Sequence, residues 1–297
     1  MTSEVARLEV VTGEKTTAQK ALKLAGSVLA HVVLVGASIV MLYPLLWMLS
    51  ASFRPESEIF TSNSLWPSAF SIDAYFRGWK GLRIGFDTFF INSLVISVLS
   101  IIGNLITCSL TAFAFARLEF KGKKVWFALM LGTLMLPYQV TLIPQYVLFH
   151  NLHWINTILP LVVPKFLAAD AFFIFLMVQF FRGIPKELDE AAQMDGCSAW
   201  RIYWRVLLPL SLPVLATAAI FTFIWTWDDF FAPLIYLSDI RSYTVQLGLR
   251  TFVDSSAESD WGGLFAMSIL TLVPVFVFFL FFQKLLIEGI ATTGMKR

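Results

Sequence analysis

Residues 185–213 read Pro185-Lys186-Glu187-Leu188-Asp189-Glu190-Ala191-Ala192-Gln193-Met194-Asp195-Gly196-Cys197-Ser198-Ala199-Trp200-Arg201-Ile202-Tyr203-Trp204-Arg205-Val206-Leu207-Leu208-Pro209-Leu210-Ser211-Leu212-Pro213. Pro185 suits the first position of a helix, where its missing N–H costs nothing. Glu187, Asp189 and Glu190 follow, favourably placed near a helix N-terminus. The 3.6-residue period puts Leu188, Ala191, Ala192 and Asp195 on one face, and alanines there admit a second surface at close range. Gly196 can end the helix in a left-handed conformation, and Ser198 can cap the next helix. Pro209 and Pro213 fall early in the apolar run that follows. A short polar helix held between two apolar runs is a handle on which a soluble partner can push.

The flanking composition supports that picture. The chain has 297 residues, 58% hydrophobic and 14% charged, with mean hydropathy +0.74. Soluble domains carry roughly 25% charged residues, so a chain this apolar reads as a polytopic membrane protein. The net charge of +2 is too small to point to nucleic acid. Two cysteines, Cys108 in an apolar run and Cys197 in the polar loop, make no disulfide framework and read as free thiols.

Spanning a bilayer takes roughly 20 apolar residues. Six segments qualify: 24–50, 89–115, 125–149, 157–181, 206–227 and 263–287. Each is expected to be helical, because lipid offers backbone groups no partner. The first apolar run, Leu24 to Ser52, is uncharged and too long for the core of a cleaved signal peptide, so it reads as a retained span. Val125 to Pro164 is likewise uncharged; the break between the third and fourth spans rests on His150-Asn151-Leu152-His153 and Asn156. With the N-terminus inside, fifteen of the 22 Lys and Arg residues collect on the cytoplasmic side. Both termini and the 182–208 loop are then cytoplasmic, and 53–88 and 228–262 are long external loops. The expected organisation is a cytoplasmic N-terminal segment (1–22) and a six-helix membrane domain (23–297) with a cytoplasmic tail (288–297).

Glu190-Ala191-Ala192, three residues, Gly196, and Leu208-Pro209 further on resemble the signature cytoplasmic loop of binding-protein-dependent ABC importer permeases. The resemblance implies an all-α, six-helix, type I importer permease fold with a cytoplasmic coupling helix, in a bacterial inner membrane. It implies that Glu187, Asp189, Glu190, Ala191, Ala192, Asp195 and Gly196 form the contact with an ATPase, Glu190 carrying the charged contact and Gly196 the turn. Phe223-Ile224-Trp225-Thr226-Trp227-Asp228-Asp229-Phe230-Phe231-Ala232-Pro233-Leu234 is similar to the aromatic-Asn-Asp-Phe-Pro-Leu stretch of carbohydrate importer permeases, with Asp228 in place of the commoner Asn. Leu136 to Pro144 and Tyr243 to Gly248 match the same branch, which includes the maltose transporter. In that system the equivalent of the last external loop enters the binding protein, which points to Asp254, Ser255 and Ser256. Gln283 to Arg297 resembles the tail that reaches into the ATPase dimer. The implied partners are a second, homologous permease, an ATPase dimer, an external solute-binding protein, a sugar or oligosaccharide and the lipid bilayer.

Sugars are held by aromatic faces with hydrogen-bonding groups around them. Trp225, Trp227, Tyr138, Gln139, Gln145, Asn104 and Asp228 are the candidates for a substrate path. The tryptophans equally fit an interfacial belt, and Asn104 and Gln139 equally fit interhelical hydrogen bonds. Lys165 and Asp170 fall inside the fourth span, where charges usually face a bundle interior or a wet cavity. Five residues apart, they diverge by about 140° on an ideal helix, which argues against a simple pair. Lys165 either meets an anionic group of the cargo or snorkels to the outer interface. With the external arginines, the first alternative leans toward an acidic, uronate-type oligosaccharide.

No Gly-x-x-x-x-Gly-Lys-Ser/Thr occurs: Arg117 stands where the motif ending Gly122-Lys123 needs its first glycine. The chain is expected to bind no cofactor and no metal, the ATP and Mg being used by a partner ATPase. Two rivals come from other classes. A membrane transferase would need Asp228-Asp229, a poor dyad because adjacent helical residues point about 100° apart. An ion-coupled transporter would use Lys165 and Asp170. Neither accounts for the 185–213 signature.

Overall fold

The computed structural model describes residues 17–61, 64–80, 84–254 and 260–294, with the backbone alone described at 17–23, 254 and 285–294. Among the described residues every regular element is helical. The chain runs α1 (Thr17–Ala51), a 3-10 turn (Glu56–Glu58), α2 (Asp73–Lys80), α3 (Phe86–Arg117), α4 (Lys123–Thr133), α5 (Tyr138–Asn151), α6 (Leu159–Val162), a 3-10 segment (Val163–Leu167) and α7 (Ala171–Gly183). It continues through α8 (Glu187–Met194), α9 (Ala199–Ile202), a π-helical turn (Tyr203–Leu207), α10 (Leu208–Leu210), α11 (Leu212–Trp227), α12 (Phe231–Tyr236), a 3-10 turn (Ile240–Ser242), α13 (Val245–Asp254) and α14 (Trp261–Gly294).

Four stretches are long and apolar enough to cross a membrane unaided: Leu24–Ala51, Phe86–Arg117, Leu159–Gly183 and Trp261–Lys284. Two more qualify as bent pairs, α4 with α5 (99°) and α9–α10 with α11 (76°). The six apolar segments read from the sequence are therefore all present, but two of them are not straight. The first bend falls at residues 134–137, where Pro137 opens α5 and cannot continue α4. The second falls at Ser211, after a wide π turn and between Pro209 and Pro213, each without an N–H to give the ladder. The third and fourth spans part where expected. His153 (φ 58°) and Asn156 (φ 63°) take left-handed backbone, and Asn156 accepts N–H bonds from Ser238 and Asp239.

α3 is the central post. Its buried face carries Phe113, Phe115 and Ala116 against Phe173, Met177 and Phe181 of α7 and Tyr203 beyond the loop. Nearer its start, Phe86 and Phe89 pack with Phe223 and Trp227 of α11, Phe252 of α13 and Met267 of α14. Between these two apolar clusters the same face turns polar: Ser93, Ser97, Ser100 and Asn104 are all buried. Spacings of four and three hold them on one stripe. A polar stripe inside an apolar bundle marks where something other than hydrocarbon is accommodated.

Candidate functional site

The fourth span breaks against that stripe. Gly103 is the residue that permits it: a β-carbon there would lie 2.8 Å from the Phe166 ring and 3.0 Å from the Lys165 backbone carbon. With only hydrogen on α3, the Val163–Leu167 segment packs hard against it, and Thr107 Oγ1 donates to the Lys165 carbonyl at 2.9 Å. Ala168 then takes left-handed backbone (φ 53°) and α7 starts afresh after Asp170. The break turns Lys165 and Asp170 toward each other. Lys165 Nζ donates to Asp170 Oδ2 at 2.8 Å, and Asn104 Nδ2 donates to the same oxygen at 2.6 Å and to Thr222 Oγ1 at 3.1 Å. The divergence expected from an ideal helix does not hold, because no helix runs through Ala168.

Beside this knot lies a cavity of about 390 Å³. Tyr138 and Gln145 of α5, Lys165, Asp170, Trp225 and Thr226 of α11, Asp229, Tyr236 of α12 and Thr244 line it. A second recess of about 370 Å³ shares Tyr138, Gln145, Ala169, Asp170 and Trp225. Trp225 packs on Phe172, Phe173 and Phe221 yet is 51% exposed. The Tyr236 hydroxyl donates to Gln145 Oε1 at 3.5 Å. Asp229 Oδ1 accepts from the N–H groups of Phe231 (3.0 Å) and Ala232 (3.2 Å), capping α12. Burial pushes its carboxyl up from the ordinary range, against the pull of those two N–H groups and of Lys165. Thr244 Oγ1 is buried and has no hydrogen-bond partner among the described residues.

At one end of α3, Arg117 Nε meets Asp189 Oδ2 of α8 at 2.7 Å, with side chains 5% and 11% exposed. Arg117 also donates to the Ile184 carbonyl at 2.8 Å. The loop helix is thus bolted to α3 from beneath. α8 begins at Glu187, so Pro185 stands just before it rather than at its first position. Gly196 takes φ +76°, and its N–H donates to Gln193 O while Cys197 N–H reaches Ala192 O. Ser198 accepts from Arg201 N, capping α9. Glu187, Glu190, Ala191, Asp195 and Gly196 are exposed and Ala192 is half-buried. Leu188, Met194 and Trp200 are exposed beside them, Met194 at 89%. At the other end, Arg77 of α2 bridges Glu56 (3.1 Å) and Asp260 (3.2 Å). Glu56 also accepts from the N–H groups of Trp261 and Gly262, tying the stretch after α1 to the start of α14. Burial and the nearby Asp260 push the Glu56 carboxyl up.

Residues 108–291 match the family described as binding-protein-dependent transport system inner membrane component. The chain belongs to this family. It is 33% identical over 257 residues to an arabinooligosaccharides transport system permease of Halalkalibacterium halodurans, covering 86% of this chain and 91% of that one. It is 30% identical over 270 residues to a diacetylchitobiose uptake system permease of Streptomyces coelicolor, covering 91% and 88%. A solved bacterial ABC transporter involved in the import of the acidic polysaccharide alginate contains a chain of the same fold. Its TM-score is 0.79 at 22% identity, over 92% of this chain and 99% of that one. The molecule is a type I ABC importer permease, a transport subunit rather than an enzyme.

Placed in this permease, the candidate residues divide. Tyr138, Gln145, Lys165, Asp170 and Trp225 come together around the cavity. Asn104 stands behind it, fully buried and holding three elements together. Trp227 is 1% exposed, and its Nε1 donates to the Thr271 carbonyl, so it belongs to the packing. Gln139 is exposed away from the cavity, and Asp228 faces Gln246 (3.4 Å) instead. Asp189 is turned inward onto Arg117 and is not available to a docking partner as the sequence suggested. Of the three candidates in the 228–262 loop, Asp254 ends α13 with only its backbone described, and Ser255 and Ser256 lie outside the described residues. Asp229, Tyr236 and Thr244 join the cavity without having been expected there from the sequence. Asp229 carried a signal, an acidic residue set as a cap before Phe231-Ala232-Pro233. Among the described residues no three His, Cys, Asp or Glu side chains form a metal-binding group; Cys108 and Cys197 are free thiols.

Proposed function

We propose that this permease is one half of the path by which a sugar or oligosaccharide enters a bacterial cell across the inner membrane. It pairs with a second, homologous permease. An external binding protein delivers the cargo, and a separate ATPase dimer, using Mg and ATP, docks on the 182–208 loop. Both termini and that loop then face the cytoplasm. The observation that carries this reading is the run of α3 between cavity and loop. Asn104 secures the cavity wall and Arg117 holds α8, thirteen residues apart on one helix, about 20 Å along its axis. A rigid element joining two sites can bias both. Exposed Leu188, Met194 and Trp200 around Glu190 suit a partner surface more than open solvent. The cargo class is supported by the arabinooligosaccharide and diacetylchitobiose permeases among its relatives.

The deciding experiment reconstitutes the permease alone and with its ATPase, second permease and binding protein. ATP hydrolysis is expected only from the assembly, and a sugar-loaded binding protein should stimulate it. Turnover by the isolated chain, or no stimulation by any saccharide, would count against the reading. An acidic, uronate-type cargo is the narrower alternative; the alginate importer supports it through fold alone, and its test lies in what Lys165 does.

A further inference from the structure

We infer that the cavity selects uncharged saccharides, with Asp229 as its cargo-binding acceptor and Lys165 withheld from the cargo by Asp170. The inference rests on the sugar-permease reading and narrows it. Among the described residues the charged groups lining the cavity are Lys165, Asp170 and Asp229. The first two neutralise each other at 2.8 Å, and Asn104 donates to the same Asp170 oxygen, so Lys165 has a built-in partner held by a buried amide. Asp229 is in no ion pair of its own among the described residues, and Lys165 acts on it only from longer range. One of its oxygens takes the two N–H groups at the start of α12, which leaves acceptor capacity on the other.

A saccharide without charge answers each remaining group. Its hydroxyls donate to a carboxylate and to Gln145, and one can meet the Thr244 hydroxyl, which is buried beside the cavity and unpartnered among the described residues. Its ring face matches the half-exposed indole of Trp225. A polyuronate brings one carboxylate per ring toward Asp229, and like charges brought together in a partly dry site discriminate strongly against a ligand. To gain Lys165 it would also have to displace Asp170, stranding a carboxylate beside Asn104.

The test uses the complete importer in proteoliposomes. Uptake is measured with neutral oligosaccharides (arabinotriose, maltotriose, diacetylchitobiose) and with trigalacturonate and trimannuronate. The transported cargo should fall among the neutral sugars. Asp229→Asn keeps a capping side chain, since Asn serves the α12 start as Asp does, but should raise the half-saturating concentration at least about tenfold, the loss of one charged hydrogen bond. The double variant Lys165→Met/Asp170→Asn removes the ion pair without stranding either partner, and whatever its overall rate, the preference for neutral over uronate trisaccharides should persist in it. A uronate cargo whose uptake the double variant abolishes would overturn the inference while leaving the sugar reading intact. So would unchanged half-saturation in Asp229→Asn. If no saccharide of either class is carried or stimulates ATP hydrolysis, the sugar reading itself fails and this inference with it.

Discussion

Arg117 Nε sits 2.7 Å from Asp189 Oδ2, and this buried contact joins the last turn of the central helix to the loop helix α8. Removing one member of a buried pair strands the other and costs about 3–5 kcal/mol, whereas replacing both by apolar groups is often neutral. Asp189→Ala should therefore lower the thermal stability of the detergent-solubilised permease and uncouple ATP hydrolysis from uptake. Arg117→Met/Asp189→Leu should recover most of the stability but not the coupling, because packing alone does not fix the angle of α8. Thermal unfolding and uptake measured side by side check this. Unchanged melting and transport in Asp189→Ala would remove the bolt from the account.

Gly196 and Glu190 test the docking face. A β-carbon on Gly196 meets no atom within 4 Å, so the objection to a side chain there is φ +76° alone. A left-handed residue costs about 1–2 kcal/mol for ordinary side chains, more for β-branched ones, and little for Asn. Gly196→Val should abolish uptake in protein that still inserts, while Gly196→Asn retains most of it. Glu190→Lys reverses a charge on an exposed position and should weaken co-purification of the ATPase without lowering the permease's own melting temperature. Normal uptake by Gly196→Val and Glu190→Lys together would take the coupling role away from this loop.

Gly103 makes a sharper structural case. Its missing β-carbon is what lets Phe166 and the Lys165 backbone lie against α3. Overpacking such a contact costs about 1–3 kcal/mol. Gly103→Val should push the 163–167 segment outward, part Lys165 from Asp170, and reduce cargo-stimulated ATP hydrolysis at least tenfold while the basal rate persists. Retention of stimulated hydrolysis would mean that the segment's position against α3 is not needed.

Much of this arrangement is legible in the residues, and what is not has identifiable causes. Apolar run lengths place six spans, and Glu190-Ala191-Ala192 with Gly196 marks the loop, because both signals are local. The bends at 134–137 and at Ser211 have local prolines but need tertiary packing to set 99° and 76°. The Lys165–Asp170 pair defeats helical geometry since Ala168, a strong helix former, is held left-handed by its surroundings. Asp189 reads as one more acid on an exposed helix until Arg117, 72 residues earlier, is brought beneath it. Trp227 and Asn104 are sugar-binding groups by type, and only the fold sets the first against the Thr271 carbonyl and the second against Asp170.

Asp229 gives the cavity a pH dependence with a definite sign. Burial raises its carboxyl, so on acidification it loses its charge at a higher pH than an exposed aspartate does. The protonated form accepts one fewer hydrogen bond from a sugar hydroxyl. Uptake of a neutral trisaccharide should hold at neutral pH and decline as external pH falls through a midpoint above the ordinary Asp range. Lys165, Asp170, Tyr138 and Tyr236 face the same cavity, so the wild-type profile alone does not assign the midpoint. Asp229→Asn does: it should start from a lower rate and lose that part of the decline. Internal pH is clamped during the measurement so that the ATPase sees constant conditions. A decline identical in wild type and Asp229→Asn would place the titrating group elsewhere and leave Asp229 as a helix cap only.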